Sequence, residues 1–102
     1  MKVLIDNDKL IQLSWKIRSE TAGVSLNIFS NTEDFLDLSS NFDKSTDIYI
    51  DSDLDNGLKG EIESKKIANL GFKNIWLCTG YTDLPTHDFL WLKGKISKTP
   101  PF

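Results

Sequence analysis

Four short apolar runs divide the chain, and each is followed by an acidic or hydroxyl-bearing residue. The runs occupy residues 3–5, 24–29, 47–50 and 75–78, and the residues that follow them are Asp6, Ser30, Asp51 and Thr79. Short runs bounded by turn-forming or polar residues, and rich in β-branched and aromatic side chains, are typical of strands. The pattern therefore predicts at least four strands, each ending on a polar residue.

Between these runs the spacing of apolar residues changes to that of helices. After the first run, apolar side chains recur at Leu10, Leu13 and Ile17, which predicts a first helix. Residues 30–33 fit a capping box that begins a second helix. The apolar residues assigned to that helix are Phe35, Leu36, Leu38 and Phe42.

A third helix is predicted over residues 61–70, with Gly71 as its C-cap. Its expected inner face comprises Ile62, Ile67 and Leu70. Beyond Thr79 the pattern weakens, because Pro85 interrupts any long helix and only residues 88–92 resemble a short helical turn. Residues 95–98 are predicted as a fifth strand at the sheet edge, and the two prolines that follow argue against another helix.

Strands that alternate with helices predict a parallel sheet covered on both faces. A length of 102 residues suits one compact domain, so residues 1–102 are expected to form a single unit. In such sheets ligands bind beyond the carboxyl ends of the strands. The residues that end the strands are therefore the candidate site.

The chemistry of those strand-end residues suits a phosphoryl group and Mg²⁺. The set comprises Asp6, Asn7, Asp8, Asp51, Asp53, Thr79 and Lys98. Clustered carboxylates are hard oxygen ligands for Mg²⁺, which binds phosphate oxygens at the same time. Asp51 would act as the nucleophile, Thr79 would hydrogen-bond a phosphoryl oxygen, and Lys98 would pair first with Asp51 and then with the phosphoryl group.

In order and approximate spacing, these motifs resemble the receiver domains of bacterial two-component response regulators. The resemblance covers nearly the whole sequence and rests on residues 3–8, residues 48–54 with Gly60, residues 77–80, and Lys98 shortly before proline. It implies a flavodoxin-like (CheY-like), doubly wound α/β fold. The implied sheet has five parallel strands in the order 2-1-3-4-5, with a shortened fourth helix and no fifth helix.

The resemblance also implies roles for individual residues. Asp51 resembles the phosphoacceptor, Thr79 the switch hydroxyl and Lys98 the essential lysine. Asp6 resembles the first of an acid pair that binds Mg²⁺, and Asp53 the position whose backbone carbonyl reaches the metal. The implied partner is a histidine kinase or phosphotransfer domain, and the domain itself is expected to be no enzyme beyond possible self-dephosphorylation. The sequences after Thr79 and after Lys98 resemble an atypical subgroup found at the C-terminal end of hybrid histidine kinases.

Several positions depart from the family pattern. The second acid of the pair is Asn7, and the lost charge predicts weaker Mg²⁺ binding. Asp8 either compensates for it at the metal or serves as the N-cap of the first helix. Lys95 and Thr99 replace an aromatic residue and a proline, so switching by an aromatic side chain is not expected. A reduced face for output domains favours a phosphoryl acceptor or sink over a switch that drives an attached effector.

Three alternatives remain open. Asp51-Ser52-Asp53 also resembles the first motif of haloacid-dehalogenase-type phosphatases, although two strand–helix units precede it here. Alternating acids at residues 51, 53 and 55 resemble a calcium-binding EF-hand loop, but Gly57 comes one residue late and Ile62 holds the place of the bidentate acid. A pseudo-receiver would keep the fold and bind partners without phosphorylation, and Asn7 is the best support for it.

Charge and composition restrict the partners. A net charge of −3 without a stripe of Lys and Arg argues against binding nucleic acid. The apolar run that follows Lys2 is too short for a signal peptide or a membrane span, so no membrane insertion and a cytoplasmic location are expected. Cys78 is expected to be a buried thiol, and His87 is expected to be a surface residue. The three tryptophans are expected to lie in the core or on a surface that contacts a partner.

Overall fold

Strands and helices alternate over residues 2–78 of the chain, as the sequence predicts. The computed structural model describes residues 1–54, 57–80 and 89–102. The strands are β1 (Lys2–Ile5), β2 (Leu26–Phe29), β3 (Asp47–Asp51), β4 (Ile75–Cys78) and β5 (Gly94–Ile96). The helices are α1 (Lys9–Ala22), α2 (Thr32–Leu38) and α3 (Gly60–Ala68), and a 3₁₀ turn at Ser39–Asn41 follows α2.

The five strands form one sheet in the order β2-β1-β3-β4-β5, and all four neighbouring pairs are parallel. This confirms the predicted flavodoxin-like order. Alternate residues of the central strands enter two apolar clusters. The larger cluster includes Ile50, Phe35 of α2 and Ile67 of α3, and the smaller one packs Leu4 and other strand residues against Trp15 of α1. The sheet is therefore covered on both faces.

Helix α1 has the predicted position but not the orientation that an apolar stripe would suggest. Leu10, Leu13 and Ile17 are 77%, 53% and 55% exposed, whereas Trp15 is fully buried. The physical reason is that α1 buries the large indole of Trp15 against the sheet, with its ring 5.2 Å from the Tyr49 ring. The three aliphatic residues instead line an open groove of about 560 Å³, which Thr99, Pro100 and polar residues of α1 complete.

Helix α2 begins one residue later than the capping box at residues 30–33 predicts. The cap is Asn31, whose Oδ1 accepts a hydrogen bond from the Asp34 N–H at 2.8 Å. The amide side chain of Asn31 also donates to the Asp34 carboxylate at 3.2 Å. Phe42 lies beyond the helix and its 3₁₀ turn but still packs against the larger apolar cluster.

The inner face of α3 differs from the prediction. Ile67 is buried as expected, but Ile62 is 59% exposed and Leu70 is 42% exposed. Gly60 packs against the backbone of β3, and this contact turns the positions spaced three, four and seven residues after it toward the sheet. Those positions are Glu63, Ser64 and Ile67, and all three are buried. Gly71, predicted as the C-cap, follows the helix with a φ of 102°, while the cap itself is Asn69.

The C-terminal part of the chain carries a shorter fifth strand than predicted. β5 ends at Ile96, so Lys98 lies two residues beyond it. Residues 89–92 form a turn rather than a helix, and residues 97–102 contain no helix. Asp88, the first residue of the predicted fourth helical turn, lies outside the described residues, as do Pro85 and His87. No helix in the described ranges is long and apolar enough to cross a membrane.

Candidate functional site

Three neighbouring strands bring Asp6, Asp51 and Thr79 to one edge of the sheet. Ile5 of β1 lies opposite Ile50 of β3, so Asp6 follows in register beside Asp51. Asp51 pairs with Cys78, the last residue of β4, and Thr79 comes directly after it. All three side chains are buried, with exposed fractions of 0%, 2% and 3% for Asp6, Asp51 and Thr79.

Lys98 reaches this edge from beyond the end of β5. Its Nζ lies 3.0 Å from Asp51 Oδ1, and its side chain remains 32% exposed. Burial lowers the pKa of Lys98, but the hydrogen bond and the negative charge of Asp51 outweigh that effect and leave the pKa raised. The lysine is therefore charged at neutral pH. Together Asp6, Asp51, Thr79 and Lys98 are called the strand-end site below.

Asp6 carries an oxygen atom that none of the described residues satisfies. Its Oδ1 accepts a hydrogen bond from the Asp8 N–H at 2.8 Å, whereas its Oδ2 is buried and has no hydrogen-bond partner in the described part of the chain. Burial raises the pKa of Asp6 to about 6; the Asp8 hydrogen bond opposes this shift and the charge of Asp51 adds to it. A buried carboxylate of this kind is unfavourable when charged unless a cation is close by.

The backbone of Asp51 is held from the other side by the start of α3. The Gly60 N–H donates to the Ser52 carbonyl at 3.1 Å. A Cβ atom on Gly60 would overlap the Asp51 carbonyl oxygen and lie 2.7 Å from the carbonyl carbon. Only glycine allows α3 to approach β3 this closely. The contact between residues 60 and 51 therefore fixes the position of the Asp51 backbone that carries the carboxylate.

Two acids assigned to the site from the sequence have other partners. The carboxylate of Asp53 forms an ion pair with Lys59 at 2.7 Å, with both side chains more than half exposed. Hydrogen bonding to Lys59 lowers the pKa of Asp53. Asp8 is the N-cap of α1, where its Oδ1 accepts from the backbone N–H of Leu10 at 2.9 Å and of Ile11 at 3.4 Å. The capping interpretation of Asp8 is therefore confirmed.

The donor set suits a weakly held hard cation. Mg²⁺ is usually bound by one or two carboxylates and retains several waters. Asp6 and Asp51 supply two carboxylates, and Asp6 Oδ2 is an oxygen in need of a cation. Asn7, half-buried beside them, adds no charge. Within residues 1–54, 57–80 and 89–102, no three His, Cys, Asp or Glu side chains come close enough together to hold a metal ion.

Two side chains of α1 contact the strand-end site without having been identified from the sequence. The Trp15 indole N–H donates to the Lys98 carbonyl at 2.8 Å. Gln12 Nε2 donates to the Asp6 carbonyl at 2.6 Å and to Ser30 Oγ at 3.1 Å. A buried tryptophan usually needs a hydrogen-bond acceptor for its N–H, so the sequence could have indicated that Trp15 has one. Nothing in the sequence says which carbonyl group it is.

Comparison with solved structures shows which fold this arrangement belongs to. The receiver domain of the TMAO respiratory system response regulator TorR matches with a TM-score of 0.76 at 16% identity, over 99% of this chain and 83% of that one. The N-terminal domain of a response regulator/sensory box/GGDEF protein from Carboxydothermus hydrogenoformans matches with a TM-score of 0.76 at 17% identity, over 96% and 82%. The response regulator StyR matches with a TM-score of 0.74 at 17% identity, and the chain spans about half of its length.

These likenesses establish the CheY-like receiver fold. No family model and no curated protein matches the chain. At 16–17% identity the neighbours fix the arrangement of strands and helices, whereas the chemistry must be argued from the residues of this chain.

Proposed function

We propose that the chain is a receiver domain that accepts a phosphoryl group on the carboxylate of Asp51, within a histidine-to-aspartate phosphorelay. The observation that supports this most directly is the ion pair between Lys98 and Asp51 at the carboxyl end of the sheet. Asp6 is buried beside it and Thr79 follows the neighbouring strand. An acid, a hydroxyl and an ammonium group are what a phosphoryl acceptor site requires.

Each residue of the strand-end site has a task in this proposal. A carboxylate oxygen of Asp51 attacks phosphorus; the new P–O bond forms as the bond from phosphorus to the donor breaks, and the donor leaves with that electron pair. Lys98 pairs with the carboxylate beforehand and with the phosphoryl oxygens afterwards. The Thr79 hydroxyl donates a hydrogen bond to one of those oxygens. Gly60 fixes the position of the nucleophile through its contact with the Asp51 backbone.

We propose Mg²⁺ as the cofactor, held by Asp6 and Asp51, with Asn7 and the backbone carbonyl of Asp53 as further oxygen donors. When bound, the ion neutralises negative charge on the transferring phosphoryl group. The unsatisfied Asp6 Oδ2 supports this assignment. Since Asn7 replaces an acid, the affinity for Mg²⁺ is expected to be lower than in a receiver with two acids at these positions.

The proposed partner is a histidine kinase or a phosphotransfer domain, and the proposed location is the cytoplasm. The chain carries Lys95 where a receiver is expected to carry an aromatic residue. This favours an acceptor or sink for phosphoryl groups rather than a switch that drives an attached effector. We further propose that the domain does not turn over substrates as an enzyme, apart from hydrolysis of its own aspartyl phosphate.

A test of phosphorylation is the intact mass of the protein after incubation with Mg²⁺ and acetyl phosphate. We expect one phosphoryl adduct on the native protein and none on Asp51→Asn. Asp37→Asn, a change at an exposed position on α2, is the matched control and should be labelled like the native protein. Absence of an adduct under conditions that label an ordinary receiver would contradict the proposal.

That negative outcome would support the second candidate, a pseudo-receiver that binds partners without phosphorylation. Asn7 favours it, as does the lack of a three-acid metal cluster among the described residues. Steady hydrolysis of p-nitrophenyl phosphate would instead favour the haloacid-dehalogenase-like alternative. The contact of the Asp53 carboxylate with Lys59 gives that alternative no support, because it needs Asp53 as a proton donor beside the nucleophile.

A further inference from the structure

We propose that Trp15 is a positioning residue for Lys98: its indole N–H, together with contacts to Phe102, anchors residues 98–102 on α1 and keeps the lysine ammonium within reach of Asp51. This inference rests on the proposed function for its consequence, the rate of phosphoryl transfer. Its geometric part, the placement of Lys98, stands independently of phosphorylation.

Lys98 lies where the sheet no longer fixes the backbone. β5 is a three-residue edge strand that ends at Ile96, and the Thr79 N–H donates to the Ile96 carbonyl at 3.0 Å. Ser97 and Thr99, on either side of the lysine, are both exposed. A lysine side chain has several rotatable bonds, so its ammonium group can reach one acceptor consistently only if the backbone beneath it is held in place.

Trp15 provides that hold from the opposite side. Its ring is fully buried, and its Nε1–H donates to the Lys98 carbonyl at 2.8 Å. The far end of the segment is anchored by the same residue, because the Phe102 ring packs edge-on against the indole with 5.6 Å between centroids. The guanidinium of Arg18, one turn along α1, donates to the Phe102 carbonyl.

These contacts form a continuous path from α1 to the nucleophile. Trp15 binds the backbone of Lys98, and the side chain of the same residue lies 3.0 Å from Asp51 Oδ1. A shift of the Lys98 backbone away from α1 would therefore lengthen the ion pair directly. The Trp15 N–H donates to the Lys98 carbonyl rather than to the Asp51 carboxylate, so its effect on Asp51 would be exerted through Lys98.

The test compares Trp15→Phe with Trp91→Phe. Both changes retain an aromatic ring and remove an indole N–H that donates a hydrogen bond. The acceptor is the Lys98 carbonyl for Trp15 and Ser64 Oγ, at 2.7 Å, for Trp91. Only the first acceptor belongs to Lys98. From the usual net contribution of one hydrogen bond, we expect Trp15→Phe to slow labelling by acetyl phosphate about two- to tenfold, at saturating as well as limiting donor. Trp91→Phe should leave the rate unchanged.

A second readout follows Lys98 without phosphorylation. In NMR spectra of the native protein and of Trp91→Phe, the two protons of the Lys98 ε-methylene group should give distinct resonances, because Asp51 restrains the side chain. In Trp15→Phe they should merge as the side chain becomes mobile. Distinct resonances in Trp15→Phe would overturn the inference whether or not the protein accepts a phosphoryl group. A normal labelling rate in that variant, with the native protein labelled, would overturn it as well.

Arg18→Gln provides a variant that keeps the buried ring, in case Trp15→Phe does not fold. Arg18 is exposed, and its substitution removes only the contact at the far end of the segment. We expect a smaller loss of labelling rate and partial averaging of the Lys98 resonances. Lys16→Gln, an exposed change on the same helix, is the control for altered charge. Identical behaviour of Arg18→Gln and Lys16→Gln in both readouts would contradict the proposed anchoring.

Discussion

Substitution of Gly60 by alanine should damage both the stability of the domain and its site. At the first position of a helix, alanine is ordinarily neutral or favourable relative to glycine, by up to about 1 kcal/mol. Here the added Cβ would overlap the Asp51 carbonyl oxygen and lie 2.7 Å from the carbonyl carbon and 3.2 Å from Ser52 Cα. Because of this contact with β3, we expect alanine at position 60 to destabilise the protein rather than to stabilise it.

The magnitude follows from the distance that must be regained. Ordinary contacts between carbon atoms need about 3.5–4.0 Å. Either α3 or the Asp51 backbone must therefore move by at least roughly 1 Å. Overpacking of this kind costs about 1–3 kcal/mol of unfolding free energy. For a chain of this size that corresponds to a fall in Tm of roughly 5–20 °C. Under the proposed function, a displacement of Asp51 by roughly 1 Å should also slow labelling about 10- to 100-fold.

Thermal unfolding followed by circular dichroism measures the first effect, and the initial rate of labelling by acetyl phosphate measures the second. Gly80→Ala is the matched control for stability, because a Cβ there meets no atom of the described residues within 4 Å and the backbone needs no positive φ. Its unfolding free energy should change by no more than about 0.5 kcal/mol, as for a surface substitution, so its Tm should stay close to that of the native protein. Equal Tm values for the two variants would refute the close contact between Gly60 and Asp51.

Three further predictions concern the acids and the apolar residues. The pKa of Asp6 is raised in the folded state to about 6, so its contribution to stability is full below the ordinary pKa near 3.8 and is lost as pH rises through 6. In metal-free buffer, the unfolding free energy of the native protein, measured by urea titration, should therefore rise relative to that of Asp6→Asn as pH falls from 7 to 4, by on the order of 3 kcal/mol at most. Parallel curves of unfolding free energy against pH would contradict the raised pKa. Asn7→Asp should tighten Mg²⁺ binding measured by isothermal titration calorimetry, whereas Asp34→Asn, on an exposed helix start, should leave it unchanged. Leu13→Ser should alter the unfolding free energy by less than about 0.5 kcal/mol, and Ile67→Ala should lower it by about 2–5 kcal/mol; similar losses would mean that the exposed face of α1 is covered.

The strand ends could be predicted from the sequence because two independent patterns agree there. A run of apolar residues marks each central strand, and parallel sheets bring their carboxyl ends to one edge. Asp6, Asp51 and Thr79 follow from this logic alone. Lys98 was placed on a strand that in fact ends at Ile96, so its position at the site depends on contacts that periodicity does not reveal.

Helix faces were harder to predict, since helical spacing identifies a helix but not which side faces the sheet. In α1 the aliphatic stripe faces outward because Trp15 occupies the inner position. In α3 the inner face is set by the contact of Gly60 with β3, which buries Glu63 and exposes Ile62. Both errors arise from tertiary contacts that outweigh local hydrophobicity.

The buried thiol of Cys78 has a practical consequence for studying how the sheet opens. It is the one cysteine of the chain, it lies opposite Asp51 in the pairing of β3 with β4, and it is 1% exposed. Burial raises its pKa, with the charges of Asp6 and Asp51 adding to the effect, so a thiol reagent can react only when β4 separates from its neighbours. The rate at which a reagent modifies the unaltered protein would then report local unfolding next to Asp51, and ligands that bind the strand-end site should slow it.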